Sequence, residues 1–489
     1  MKLTSLLGHS SELLRIIRKS HQPSDLLASD YFRKKKYIGS SERKFISELV
    51  FFILRGYGLF DYCLSHSNFN FEPEDNIDKE LLIIFVALYI FENYNDYHKI
   101  FHPSQNLFNS FENKELDFLS NLKFSLTEKT GIDINYAETF FVSVHSAFNE
   151  LELKVRQIIN RNSVLDDNEI KTISSGFSIP AWILDKWLNN EYYKFKLNNA
   201  CNLSESLLFP APFTIRVNLS QASRDEIFHY LINMGIDCRL CKYSPMGITI
   251  MRRTQLNTLE IFRKGLIEVQ DEGSQLISVA LSPETGDRIL DACAGAGGKS
   301  LHIADIIQNN GEIYAFDIDN RKLKELKRRA ERSGFDSINT NNLFQIYKSN
   351  KKRLGYKNIK FDKVLVDAPC SGLGTVRRMP MQKWRLTPDL LKKYSVKQLK
   401  ILEEYSKYVI NGGTLVYSTC SLMAEENEEV VFNFLNRNSE FKPLSLKSAF
   451  DRFDITLDGL NDSDYMMRLL PHIHGCDGFF IAKFIKIYE

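Results

Sequence analysis

The sequence predicts an α/β fold whose carboxyl-terminal half is a doubly wound, mainly parallel sheet, preceded by an all-helical domain and a small α/β module. Three observations predict it. Apolar residues recur at spacings of three and four through residues 1 to about 150. Strand-like and helix-like segments alternate between Phe213 and Met251. From Leu266 onward, short apolar strands alternate with helical stretches.

In the amino-terminal part, Leu13, Ile16 and Ile17, then Phe45, Leu49, Phe52 and Ile53, form the single apolar stripe that a half-buried helix requires. Between them, Tyr31-Phe32-Arg33-Lys34-Lys35-Lys36-Tyr37 and Gly39-Ser40-Ser41-Glu42-Arg43 interleave basic and aromatic residues. That pattern suits phosphate contact with base stacking, and equally a helix end with solvated lysines. A polar connector spans 160–167, and residues 170–200 read as a short helical segment, with Pro180 near a helix start and Trp182 and Trp187 on the helix. Phe213–Asn218 and Gly247–Met251 alternate as strands, with a helix over Ser223–Met234 between them. The expected domains are residues 1–160, helical; 165–265, linker helices and the small α/β module; and 266–489, the doubly wound sheet. Strands of that sheet are expected at Arg288–Asp291, Gly311–Asp317, Phe361–Asp367 and Gly413–Ser418, with ligands beyond their carboxyl ends.

No apolar run reaches the ~18 residues of a membrane-spanning helix. His9, Glu12 and Arg15 interrupt the apolar residues around Leu6 and Leu7 too soon for a signal peptide. A cytoplasmic protein with no membrane partner is expected, and a monomer. Eight cysteines in such a chain are reduced thiols for packing or chemistry, not a disulfide framework. The net charge of +2 hides an asymmetry. Residues 321–400 hold 22 Lys and Arg against 6 Asp and Glu, so the remainder of the chain is net acidic. A basic stretch flanking a candidate reactive motif points to a polyanionic partner.

The first strand of the sheet runs into Asp291-Ala-Cys-Ala-Gly-Ala-Gly-Gly-Lys-Ser300, followed by a helix. Gly295, Gly297 and Gly298 let backbone pass close to a ligand. Asp317, ending the next strand, can accept both hydroxyls of a ribose. A nicotinamide dinucleotide would use similar geometry. Against it, the loop is not Gly-x-Gly-x-x-Gly in register, and Asp291 would repel a pyrophosphate. S-adenosylmethionine has no phosphate and fits better. Further along, Val366-Asp367-Ala-Pro-Cys370-Ser-Gly372 and Tyr417-Ser-Thr-Cys420-Ser421 each place a cysteine just beyond a strand. Adjacent parallel strands open on one edge, so both thiols can face one pocket. One buried core cysteine is commonplace; two at such positions, beside small polar residues, are not.

Asp-Ala-Pro-Cys-Ser-Gly at 367–372 and Ser-Thr-Cys-Ser at 418–421, followed by Glu425-Glu426-Asn427-Glu428, resemble the Nol/Nop/Sun-type RNA cytosine-5 methyltransferases. The likeness extends to Ser178-Ile-Pro-Ala-Trp182, Arg216-Val-Asn218, Val269-Gln-Asp-Glu-Gly-Ser-Gln275, Arg377-Arg378 and Lys383-Trp384, and covers about residues 170–485. It implies a Rossmann-like class I methyltransferase domain using S-adenosylmethionine on RNA, not DNA. It also implies that Cys420 is the nucleophile and that Cys370 aids proton removal and release. Cys293, Ala294, Gly295, Ala296, Gly297, Gly298, Lys299, Asp317 and Asp367 would line the cofactor site, with Lys299 and Asp367 facing the target base. The residues suit the chemistry. Cytosine carbon 5 attacks a methyl group only after a thiolate has added to carbon 6, with a donor at ring nitrogen 3 and a base to remove the carbon 5 proton. Asp367 can donate only if protonated or bridged to the base amino group.

The amino-terminal helices resemble the NusB-type RNA-binding domain that precedes the core of bacterial small-subunit ribosomal RNA methyltransferases, through Tyr37-Ile-Gly-Ser40 and Arg43-Lys-Phe45. Small-subunit (16S) ribosomal RNA is the substrate this suggests, with transfer RNA second. Two departures stand out. The loop Ala294-Gly-Ala-Gly-Gly-Lys299 lacks the family's proline, and Asn339-Thr-Asn-Asn342 stands where an adenine-side aspartate is usual, leaving Asn342 as its substitute. A catalytically weak RNA-binding assembly factor therefore stays open as an alternative, as does a nicotinamide-dependent oxidoreductase. No metal is expected. Cys238-Arg-Leu-Cys241 lacks a second pair, His472 and His474 read as part of a final strand pair, and Glu425–Glu429 reads as a helix opening.

Overall fold

The computed structural model describes residues 2–67, 78–93, 118–161, 164–192, 195–252, 254–340 and 360–488. Part of the expected connector, residues 162 and 163, and Asn342 with the rest of 341–359 lie outside them. The chain forms two compact units, one of residues 1–210 with 375–386, the other of 211–374 with 387–489.

The first unit is helical. Its helices include Leu3–Lys19, Ser24–Lys34, Ser40–Ser65, Lys79–Asn93, Ile134–Arg161 and Ala181–Asn189. Phe45, Leu49, Phe52 and Ile53 are buried as their spacing predicts, and so are Leu13 and Ile17. Ile16 is not: Leu14 takes the inward position and Ile16 faces solvent. The basic–aromatic stretch is divided: Arg33, Lys34, Lys36 and Tyr37 are exposed, while its first two aromatics are not. Tyr31 and Phe32 are core residues, and the Tyr31 hydroxyl and Lys35 ammonium both donate to Glu12. Residues 375–386 join this unit: Met381 lies in its core, Lys383 Nζ donates to the Arg55 carbonyl at 2.7 Å, and Trp384 packs on Gly58.

The second unit holds two sheets. The smaller contains β1 (Phe213–Val217), β2 (Cys238–Leu240), β3 (Gly247–Ile250) and β4 (Ile267–Val269), all antiparallel in the order β2-β3-β1-β4. Ser223 caps the helix Arg224–Asn233 by accepting from the Glu226 amide, while Glu226 returns to Ser223, a reciprocal capping box. Fully buried Arg216 reaches from β1 to Asp305 at 3.0 Å and Gln270 at 2.8 Å, joining this sheet to the helix Gly298–Ile306 of the larger layer.

The larger sheet comprises β5 (Arg288–Asp291), β6 (Glu312–Ala315), β7 (Ile338–Asn339), β8 (Phe361–Asp367), β9 (Val409–Thr419), β10 (Phe441–Pro443), β11 (Met466–Leu469) and β12 (Phe479–Lys486). The order is β10-β12-β9-β8-β5-β6-β7, with β11 on β12. β5 to β9 pair in parallel, and β12 runs antiparallel to β9. The chain builds outward from β5 through β6 and β7, then returns to β8 on the other side. That reversal opens a crevice at the carboxyl ends of β5 and β8.

Candidate active site

Three strand ends meet at the crevice. In the register of β5 with its neighbours, Asp291 lies beside Ala315 of β6 and Leu365 of β8. Asp291 is fully buried and accepts from Ser300 Oγ at 2.6 Å. Burial pushes its carboxyl up to about 6. The glycine loop then turns under Asp317, whose Oδ2 accepts the Gly295 amide at 2.9 Å and whose Oδ1 accepts the Asp319 amide at 2.8 Å. Each oxygen keeps lone-pair capacity for a hydroxyl. Gly297 adopts φ +86°, and a β-carbon there would meet Leu326 at 2.3 Å; at Gly295 and Gly298 it would meet nothing. The loop is thus packed on one side and open on the other. Ile318, beside Asp317, is 96% exposed and offers an apolar face to a planar ring. Open glycines, an accessible carboxylate and an apolar neighbour fit the nucleoside and sulfonium of S-adenosylmethionine. Ala294 and Ala296 shape the loop through backbone bonds, to Phe316 at 2.7 Å and from Arg329 at 2.7 Å. Burial, then the neighbouring carboxylates, raise the Cys293 thiol, so Cys293 lines the loop as a neutral group.

Across the crevice, Lys299 Nζ donates to Asp367 Oδ2 at 2.6 Å, and Ser418 Oγ donates to Asp367 Oδ1 at 2.8 Å. Burial is the largest single influence and would lower the Lys299 ammonium, but the charge and hydrogen bond of Asp367, with the charges of Asp291 and Cys420, together outweigh it and the shift is upward. Both Asp367 oxygens thus act as acceptors, one of them in an ion pair. β8 and β9 pair Asp367 with Ser418. Beyond them, Cys370 Sγ and Cys420 Sγ come within 3.3 Å. Contact with the Cys420 thiol, then burial, push the Cys370 thiol well up. Lys299 feels the Cys420 sulfur electrostatically, so thiol, ammonium and carboxylate share one site.

The acidic run following Cys420 does more than open a helix. Glu428 and Glu429 lie in the first turn of Glu428–Arg437, as their charge favours, but Glu426 sits in the preceding 3₁₀ turn and is completely buried. Its carboxylate accepts from Ser371 and Ser421, the residues after the two cysteines, and from Gln398. Sequence reasoning missed it, although a serine directly after each of the two cysteines was a signal that polar partners were needed there.

The weaker motifs stay apart from the crevice chemistry. Cys238 lies on β2, and Cys241 Sγ contacts the Thr249 hydroxyl at 3.5 Å. His472 and His474 fall in a short helix between antiparallel β11 and β12, with His474 bonded to backbone. Among the described residues, no cluster of His, Cys, Asp and Glu can hold a metal ion, and no helix is long and apolar enough to cross a membrane.

The profile of the family described as 16S rRNA methyltransferase RsmB/F matches residues 278–485, and that of the RsmF/B-like ferredoxin-like domain matches 179–257. The probable ribosomal RNA small subunit methyltransferase B of Bacillus subtilis (strain 168) is 33% identical over 324 residues, 65% of this chain and 69% of the relative. The chain belongs to the RsmB/F methyltransferase family. Its namesake in Synechocystis sp. is 29% identical over 76% of this chain and 81% of that protein. Among solved structures, PH0851 covers 99% of both chains at a TM-score of 0.68 and 24% identity, a likeness of fold. A methyltransferase homologue from Pyrococcus horikoshii covers 64% of this chain and 98% of its own, at 28% identity and a TM-score of 0.53. As an RsmB/F-family protein, the chain has its glycine loop, Asp317 and both thiols inside the 278–485 match, and its small antiparallel sheet begins inside the second.

Proposed function

We propose that this RsmB/F-family methyltransferase methylates carbon 5 of a cytosine in 16S ribosomal RNA through a covalent bond between Cys420 and carbon 6. One observation carries the mechanism: two thiols 3.3 Å apart, in the site of the Lys299–Asp367 pair. Asp317 and the open glycines hold the nucleoside and tail of the methyl donor. S-adenosylmethionine supplies an electrophilic methyl group on a sulfonium sulfur. Cys420 adds to carbon 6, and the displaced π electrons make carbon 5 nucleophilic. The proton that the Cys420 thiol loses passes through the Asp367 carboxylate, held in place by Lys299, to ring nitrogen 3. After transfer, Cys370, once its own proton has passed to solvent, takes the carbon 5 proton; the double bond re-forms, ring nitrogen 3 returns its proton to Asp367, and the Cys420 sulfur leaves as thiolate. A base whose pKa is raised holds that proton well.

The further details of this reading are a NusB-type RNA-binding role for the helical unit, action as a monomer in the cytoplasm, and RNA rather than DNA as substrate. The names of the small-subunit relatives support ribosomal RNA; transfer RNA is the alternative. Bisulfite sequencing of RNA from a deletion strain tests the whole reading. One 16S cytosine should lose its methyl mark and regain it with the wild-type gene but not with Cys420→Ala. An unchanged 16S map, with a transfer RNA mark lost instead, would replace the substrate. Unchanged maps in both would overturn the function.

A further inference from the structure

We infer that Glu426 is a positioning residue that ties the two thiol-bearing loops to one carboxylate and so sets the separation of the Cys370 and Cys420 sulfurs. Oε1 accepts from the Ser371 amide at 2.8 Å and from Gln398 Nε2 at 2.9 Å. Oε2 accepts from Ser371 Oγ at 2.5 Å and from Ser421 Oγ. Two of these donors belong to the residue after Cys370 and one to the residue after Cys420. The fourth, Gln398, also donates to the Pro369 carbonyl at 3.0 Å, bracing the Cys370 loop from behind.

Glu426 itself is anchored by the Tyr417 hydroxyl, which donates to its carbonyl at 2.6 Å. Next to it, Asn427 accepts from Thr419 Oγ1 at 2.6 Å and donates to the Ser421 carbonyl at 3.0 Å, so the Cys420 loop is held on both flanks. No lysine or arginine pairs with Glu426 among the described residues. A buried carboxylate without a cation is costly, and apolar packing would join two loops at lower cost. What apolar packing lacks is direction: four hydrogen bonds to one side chain fix where each loop sits. Being completely buried, Glu426 acts through the loops and not on substrate.

The inference rests on the proposed thiol chemistry, and its test separates the two. Phenylarsine oxide chelates thiols only when their sulfurs lie close together. Arsenic bound per chain, measured on the whole protein without RNA, should show one chelate in wild type that Cys370→Ala lacks. Glu426→Ala should weaken that chelate about tenfold or more. It should also lower kcat for RNA methylation about 10²-fold, the cost of a misplacement near 1 Å, with KM for S-adenosylmethionine little changed. Glu426→Gln should restore both, because its Oε1 still accepts from Ser371 N and Gln398 while the serine hydroxyls rotate to accept from the new amide. Ser421→Ala, which cuts only the Cys420 arm, covers a Glu426→Ala chain that fails to fold, and should weaken the chelate in part. Wild-type chelation in folded Glu426→Ala or in Ser421→Ala would overturn the inference. Loss of the chelate in both Ala and Gln variants would overturn it too, by showing that the carboxylate's geometry is not what matters. If instead Cys420→Ala methylates normally, the thiol mechanism fails while the chelation result still stands.

Discussion

Cys370 Sγ lies 3.3 Å from Cys420 Sγ, across the parallel pair β8–β9 whose register sets Asp367 against Ser418. This contact assigns two different jobs to two thiols in one place. Cys420→Ala should abolish methyl incorporation into RNA. Cys370→Ala should still form the bond to carbon 6 but fail to release it, leaving an RNA–protein species that survives denaturing gel electrophoresis. The reverse pattern, an adduct on Cys420→Ala, would exchange the two roles.

Lys299 and Asp367 form the second relationship. Asp367→Asn keeps the shape of the side chain but removes the largest of the charges that together outweigh burial on Lys299. Left with burial, the Lys299 ammonium becomes easier to deprotonate. In the wild type its raised pKa contributes stability that is fully present below the unfolded value near 10.4 and is lost only as pH rises through the folded value. Across pH 6 to 9 Lys299 should therefore give no pH dependence in wild type. Asp367→Asn should be destabilised at pH 6 by about 1–3 kcal/mol, with the deficit shrinking towards pH 9. Methylation should fall about 10²-fold or more. Thermal unfolding at the two pH values, with labelled-methyl turnover, checks both.

The glycine loop separates folding from binding. Gly297→Ala forces a side chain into φ +86° against Leu326 at 2.3 Å, so the folded protein should lose about 1–3 kcal/mol. At Gly298 a methyl group meets no protein atom. Gly298→Ala should therefore melt like wild type, yet weaken S-adenosylmethionine in calorimetric titration by filling the open side. Equal binding in wild type and Gly298→Ala would remove that side of the loop from the cofactor site.

What the sequence made legible follows from how locally each feature is encoded. Asp291 and Asp367 end strands, and Asp317 and the two cysteines lie just beyond strands, whose apolar runs are visible in the chain, and parallel pairing sends those ends to one edge. Glu426 was not legible in this way. Its spacing reads as a helix start, and its decisive partner, Ser371, is 55 residues earlier. Local pattern also cannot tell a base-stacking aromatic from a core one. Tyr31 and Phe32 look alike in either role, and only the helix packing beneath them makes them core. Asn342 lies outside the described residues, so what stands on the adenine side is still read from sequence alone.

Lys383, which marked the family likeness, proves to be a buried cation in the helical unit. Its Nζ donates to the Arg55 carbonyl, and burial, then the Arg55 charge, lower it to about 7. Because the folded pKa lies below the unfolded value near 10.4, the unfolded chain binds more protons between pH 7 and 10.4. The cost of burying the ammonium is thus fully felt below pH 7 and is relieved as pH rises. Lys383→Met keeps the length of the stem without the charge. It should be more stable than wild type at pH 6 by on the order of a few kcal/mol, less the lost hydrogen bond to Arg55. That advantage should shrink steadily towards pH 10. Paired melting curves of the two proteins from pH 6 to 10 read the difference directly, since every other titrating group is shared. A variant less stable than wild type at pH 6, with a gap independent of pH, would mean that Lys383 is charged and paid for by a partner outside the described residues.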